Sequence, residues 1–317
     1  MLNIARMDNK NKLITGWKIA IFSIVIILLT GYSVTNNRDA EYHGFKDTFN
    51  SGEPEYFRYG SGGNRAEFTH SSGVRSSVEP DTRVLLLKMD PEDSATPWQG
   101  PNMSSHQVCH FGTYAGRLRI PEVSRQPNVG GVVGFFTYFN DPNINGHSEI
   151  DIEWLIADPE IIYLNAWLDT DAPPEITRRR VGRIINLAEG VVYSTTYTEN
   201  VGDRPVRTPL TGNENFPETV PAIENFNAAE RFHTYGFDWE PDRIRWWIIH
   251  PEINDTVVLW DYRGPRERIT QTPASFMINI WHTDNWPVHT NPESVERPEY
   301  PFGVEFDWVS YAPLDIR

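Results

Sequence analysis

From about Phe45 onward, no stretch of the chain runs far without glycine, proline, asparagine or aspartate. The 24 Pro and 22 Gly are scattered through the sequence, and long amphipathic helices cannot be threaded through such punctuation. Between the breaks lie short runs rich in β-branched and aromatic residues: Val84–Lys88, Gly116–Ile120, Gly131–Tyr138 and Arg243–Ile249. Runs of this length, bounded by turn residues, predict strands. The expected architecture is all-β, a sandwich formed as one domain over residues 45–317. Ala228–Arg231 is expected to form one helical turn. The span 199–227 is expected to be a loop inside the domain, too polar to contribute to the core.

One segment carries a chemical signal. In Gly146-His147-Ser148-Glu149-Ile150-Asp151-Ile152-Glu153-Trp154-Leu155, acidic and apolar residues alternate strictly. On a strand, Glu149, Asp151 and Glu153 project from one face while Ile150, Ile152 and Trp154 project from the other. A helix would bring Glu149 and Glu153 together but would turn Asp151 away. Three like charges in one row repel, and no basic residue in the row neutralises them. The natural relief is a retained proton, since crowding raises a carboxyl pKa. An ionised nucleophile beside a protonated acid is the division of labour that glycoside hydrolysis needs. A strand rise of about 3.3 Å places the two glutamate Cα atoms roughly 13 Å apart, so the roughly 5–5.5 Å of a retaining pair calls for a curved sheet. The competing readings of the row are a calcium-binding acidic strand and a plain solvated face.

Charge narrows the partners. The chain has 28 Lys and Arg against 43 Asp and Glu, a net charge of −15. Its densest basic run, Arg178-Arg179-Arg180, is short, and a nucleic-acid backbone needs a larger cationic surface, so no nucleic-acid partner is expected. The acidic balance suits an exported enzyme with a neutral substrate. The single cysteine, Cys109, excludes an intrachain disulfide and is expected to be a small buried residue. The 11 Trp divide between core positions and flat faces for sugar rings. Arg6, Lys10, Lys12 and Lys18 precede the apolar run Ile19–Leu29, flanked by Trp17 and Tyr32. A basic flank before a short apolar stretch is the pattern of an export signal or an uncleaved anchor, so residues 1–44 are expected to be that segment plus a polar tether. The catalytic domain is then secreted, periplasmic or held outside the membrane through residues 17–32, and a monomer is expected.

Glu149-Ile150-Asp151-Ile152-Glu153 resembles the active-site signature of glycoside hydrolase family 16, in the uninterrupted spacing of its lichenase and transglycosylase branch. Other stretches agree in order: Gly134–Tyr138, Phe232–Trp239 followed by Arg245-Trp246-Trp247, Met277–Trp281, and Glu305–Tyr311. The resemblance covers about residues 45–314. It implies a curved jelly-roll β-sandwich, concanavalin A-like, with a glycan cleft on its concave face. It also implies a retaining endo-β-glucanase mechanism with Glu149 as nucleophile, Glu153 as acid then base, and Asp151 tuning both. Tyr138, His147, Asn165, Trp167, Asn279 and Trp281 match positions that line the cleft, and His233 is placed near it or at a strand end. Asp307 matches a position that binds a structural Ca2+, whereas catalysis itself needs no cofactor. The pattern also departs from the lichenases. His147 stands where they carry Trp, an Arg expected before Phe111-Gly112 is replaced around His106, and the segment between Trp167 and Phe232 has no lichenase counterpart. The implied substrate is a β-1,3/1,4-glucan or a related bacterial polysaccharide. The rival readings are a transglycosylase of the same fold and an inactive carbohydrate-binding sandwich.

Overall fold

A computed structural model describes residues 42–60, 69–91, 99–141, 146–168, 176–202, 204–286 and 295–315. The apolar run Ile19–Leu29 and the expected anchor or signal lie outside these residues, as does all of the tether before Tyr42. Among the described residues no helix is long and apolar enough to cross a membrane.

In chain order the strands are β1 (Phe45–Asp47), β2 (Phe57–Gly60), β3 (Thr69–Arg75), β4 (Arg83–Met89), β5 (Asn102–Cys109) and β6 (Gly112–Arg119). Then follow β7 (Gly131–Asp141), β8 (Gly146–Leu155), β9 (Ile161–Leu168), β10 (Ile176–Asn186), β11 (Val191–Val201) and β12 (Arg204–Pro209). The last are β13 (His233–Glu240), β14 (Arg243–Ile249), β15 (Thr256–Tyr262), β16 (Ala274–His282) and β17 (Phe302–Pro313). They form two antiparallel sheets. One runs β15-β14-β13-β6-β17-β4-β3, with β1 added against β17, and the other runs β12-β11-β10-β9-β8-β7-β16-β5-β2. The second sheet contains an unbroken meander from β7 to β12, and antiparallel pairing with β7 and β9 on either side fixes the register of β8.

The sheets close face to face as a jelly-roll sandwich over one large aromatic and aliphatic core. Phe135 of β7 meets Phe237 of β13 edge-on at 6.0 Å, and Trp154 of β8 meets Tyr235 of β13 at 4.7 Å. Trp246 and Trp260 stack at 4.8 Å, and both are fully buried, as are Trp154 and Trp239. Cys109 is also fully buried, and burial pushes its thiol up to about 12, which makes it inert packing.

The core decides which way β8 faces. Ile150, Ile152 and Trp154 are fully buried, each worth roughly 1.5–3 kcal/mol over exposure. A slip of one residue would expose all three and drive the three carboxylates into the core.

Two sequence expectations fail. The span 199–227 begins with the end of β11 and all of β12, and its remainder caps the core with buried Leu210, Val220, Ile223 and Phe226. The polar composition concealed four apolar residues spaced widely enough to plug one end of the sandwich. Ala228–Arg231 forms turns rather than helix, its backbone tied instead by Ile120 N–H to Ala228 O at 3.0 Å.

Candidate active site

Strand alternation puts Glu149, Asp151 and Glu153 together on the face of the nine-stranded sheet that points away from the core. The flanking strands complete the surface by register. Tyr138 and Trp167 lie opposite Glu149, Phe136 and Asn165 opposite Asp151, and Gly134 and Tyr163 opposite Glu153. One strand further on, Asn279 of β16 pairs with Gly134 and Trp281 with Val132. Tyr138, His147, Asn165, Trp167, Asn279 and Trp281 therefore share the carboxylate face. His233 does not: it sits on β13 in the other sheet, 2% exposed, its Nε2 3.2 Å from Asn227 O.

Gly134 is required by this arrangement. A Cβ there would come within 2.5 Å of Asn279 Oδ1 and 3.2 Å of the Phe136 ring. Its absence lets Asn279 lie beside the carboxylate row, where its buried Oδ1 accepts no hydrogen bond among the described residues.

The three carboxyl groups differ in environment. Glu149 retains 18% side-chain exposure, and its Oε2 is 2.5 Å from His147 Nε2. Asp151 is 1% exposed and hydrogen-bonded to Glu149, and its Oδ2 accepts from Trp167 Nε1 at 3.0 Å. Burial, and then the charges of Glu149 and Glu153, hold the Asp151 carboxyl well above the usual carboxylate range. A protonated Asp151 can donate the bond it shares with Glu149. Its backbone is pinned as well, since Trp246 Nε1 reaches across the core to Asp151 O at 3.0 Å.

Glu153 is pushed up to about 8, by burial first and then by the charge on Glu149. Arg180, on β10, and a long bond from Asn165 Nδ2 at 3.4 Å pull the other way without prevailing. Tyr138 is raised to about 12, so its hydroxyl stays a neutral donor. The row thus holds a part-buried carboxyl supported by hydrogen-bond donors and a protonated acid on one strand. That pairing can attack an electrophilic carbon and protonate its leaving group.

Trp167 is more than a flat wall. Its ring lies parallel to His147, 3° between planes at 6.3 Å, and the Arg180 guanidinium sits 4.8 Å from its centroid. Sequence reading passed over Arg180. The signal lay in parity: Arg178 and Arg180 sit on the face opposite core-facing Val181, and Arg180 pairs directly with Trp167.

At Asp307 the carboxylate is taken by Arg117 Nη1 at 2.7 Å, and Arg117 also holds Glu79 at 2.7 Å. Among the described residues no three His, Cys, Asp or Glu side chains gather to hold a metal. The described side chains therefore leave the expected structural Ca2+ at Asp307 without support.

The model of "Glycosyl hydrolases family 16" matches residues 186–308, downstream of the carboxylate strand. Among curated proteins, a "Beta-glucanase" of Acetivibrio thermocellus is 25% identical over 245 residues, covering 76% of this chain and 54% of that protein. The chain therefore spans about half the length of that relative. A "Beta-glucanase" of Brevibacillus brevis is 23% identical over 308 residues, covering 93% of this chain and 94% of the relative. Among solved structures, the Bacillus licheniformis β-glucanase superposes with a TM-score of 0.50 at 22% identity, covering 87% of this chain and all of that one. A lichenase from a mouse hindgut metagenome gives 0.51 at 18% identity, covering 86% and 100%. Both superpositions are likenesses of fold.

Proposed function

Because this chain belongs to glycosyl hydrolase family 16, with β-glucanases of the lichenase type among its relatives, we propose that it is a retaining endo-β-glycanase cleaving β-1,3/1,4-glucan or a related bacterial polysaccharide. The observation that carries this reading is the split within one row: Glu149 held by His147 and Asp151, Glu153 carrying a proton to about pH 8.

In the first step the Glu149 carboxylate attacks the anomeric carbon while Glu153 gives its proton to the departing glycosidic oxygen. The bond to the leaving sugar breaks and an ester to Glu149 forms. In the second step Glu153, now ionised, takes a proton from water, which displaces Glu149 and restores both groups with net retention. Asp151 holds Glu149 in line through the shared hydrogen bond, and Trp167 Nε1 holds Asp151. Tyr138, Asn165, Asn279 and Trp281 supply the polar and flat surfaces that would seat the sugar ring. The basic flank before the apolar run at residues 17–32 supports export, with the catalytic face outside the cytoplasm.

The test is a reducing-end assay of the purified chain on lichenan, laminarin, xyloglucan, agarose and carrageenan, with proton NMR of the first product anomer. Release of β-configured ends, lost in Glu149→Gln and Glu153→Gln, is expected. Full activity in Glu149→Gln would end this assignment.

A further inference from the structure

A pocket of about 140 Å³ opens on the carboxylate face toward the β12 edge, lined by Trp167, Arg178, Arg180, Thr198, Asn200 and Arg207 among others. Register explains the cluster. Arg180 pairs with Thr198, and Thr198 pairs with Arg207, so two arginines flank one small hydroxyl across three adjacent strands. One step outward, Arg178 pairs with Asn200 and Asn200 with Pro205. The Arg178 and Arg180 guanidinium carbons lie 5.5 and 4.8 Å from the Trp167 centroid, so the cluster is continuous with the carboxylate row.

In a chain of net charge −15 this is an unusual place to gather cations. Among the described residues Arg180 and Arg207 form no ion pair and no hydrogen bond through their side chains. The acids whose charges act on Arg180 are Glu153 and Asp151, and burial holds both carboxyls above the usual carboxylate range. Burial first, and then the Arg207 and Arg178 charges, lower the Arg180 pKa against the opposing pull of Glu153 and Asp151. Neutral sugar hydroxyls are served by amide and carboxylate side chains. Guanidinium forks match carboxylate and sulfate oxygens instead.

Resting on the glycanase reading above, we infer that the Arg178–Arg180–Arg207 pocket binds an anionic substituent of the glycan, so that the preferred substrate is an acidic polysaccharide. Strand spacing of about 4.8 Å puts Arg180 about 10 Å and Arg207 about 19 Å from the carboxylate strand. Arg207, the outer member, therefore faces a sugar flanking the cleaved linkage, with Arg180 between it and the carboxylate row. Both a carboxylate (a uronic acid, a ketal-linked pyruvate or a succinyl half-ester) and a sulfate ester have the required chemistry.

Binding can be measured without turnover, by calorimetry on the full Glu149→Gln chain. The probes are barley β-glucan oligosaccharides left unmodified, carboxymethylated, or sulfated. At low salt at least one acidic form should bind at least about tenfold tighter than the neutral form. The advantage should shrink at about 1 M salt, where charges are screened beyond about 3 Å. Adding Arg207→Gln, on the exposed edge strand, or Arg178→Gln should each reduce the advantage several-fold, with the circular dichroism spectrum unchanged. The stronger of the carboxylated and sulfated arms identifies the substituent. Equal affinity for all three probes, or an advantage that survives both arginine substitutions, overturns the inference. The wild-type reducing-end assay reports separately. Tight acidic binding with no polymer cleaved removes the glycanase reading alone, and cleavage of neutral glucan with no acidic preference removes this inference alone.

Discussion

His147 Nε2 stands 2.5 Å from Glu149 Oε2, two residues along the same strand face. The ring is also parallel to Trp167, whose Nε1 donates to Asp151. Imidazole, indole and both carboxyl groups thus form one hydrogen-bonded and stacked unit beside the candidate nucleophile.

If that unit orients Glu149, losing the imidazole donor costs turnover more than binding. A hydrogen bond to a charged group is worth about 1.5–3 kcal/mol, so kcat of His147→Ala should fall by about tenfold or more. His147→Phe keeps a ring against Trp167 but no donor, and should lose nearly as much. Steady-state kinetics on the best glucan would check this, and a purely raised KM would refute an orienting role.

Removing the candidate nucleophile gives a sharper chemical signature. Glu149→Ala should lose about a thousandfold or more in kcat, about 4 kcal/mol of barrier. Added azide fills the space left by the carboxylate and attacks the same anomeric carbon, so an activated β-glycoside should yield the α-glycosyl azide. Product NMR decides it; a β-azide would assign the nucleophile elsewhere.

Activity should also depend on pH through Glu153. The group must be protonated to act as acid, and it holds its proton to about 8, so kcat/KM is expected to fall as pH rises through that region. Arg180 is the cation that lowers it, so Arg180→Gln should raise it further and move the alkaline limb to higher pH. A limb that stays in place, or moves down, would show that Arg180 is not felt at Glu153.

Much of this was legible in the sequence because β-sheet periodicity is rigid. With a period of two, Glu149-Ile150-Asp151-Ile152-Glu153 admits only one division of its side chains, and the buried Ile150, Ile152 and Trp154 follow it. The same rule places Tyr138, Trp167 and Asn279 on the carboxylate face once the strands are paired. What escaped was whatever depends on pairing partners far along the chain. Arg207 joins Arg180 only because β11 and β12 fold back, and the span that carries β12 reads as polar loop. Asp307 gives no hint in its own neighbours of Arg117, which lies 190 positions earlier. Leu210 and Phe226 are isolated apolar residues in polar sequence, and only the sandwich end they close makes them core.

Gly134 tests the packing of the face. An alanine methyl there would meet Asn279 Oδ1 at 2.5 Å, far inside normal contact, so Asn279 must turn or the β7–β16 pairing must open. Gly134→Ala should therefore raise KM several-fold through Asn279, with Glu149 and Glu153 chemically intact. Asn279→Ala should reproduce the KM change without the steric clash, and the double variant should be no worse than the worse single. Additive losses would mean the glycine acts on something other than Asn279.

The acid's raised pKa also predicts a stability cost that grows with pH. Between its ordinary value near 4.5 and about 8, the folded chain keeps a proton on Glu153 that the unfolded chain releases. The folded state then binds more protons, so unfolding free energy falls as pH rises through that window, and the full penalty is present above about 8. Glu153→Gln cannot ionise and escapes it. Its melting temperature should match wild type near pH 4.5 and exceed it by a few degrees at pH 9, given about 2–4 °C per kcal/mol for a domain of this size. Glu149→Gln removes a charge that presses on Glu153 and Asp151, so it should share part of the gain. Calorimetric scans of the three proteins across that pH range would show a gap that opens with pH. A constant gap, or one that closes, would mean that Glu153 is not held protonated by its surroundings, and the acid's role would have to pass to another group.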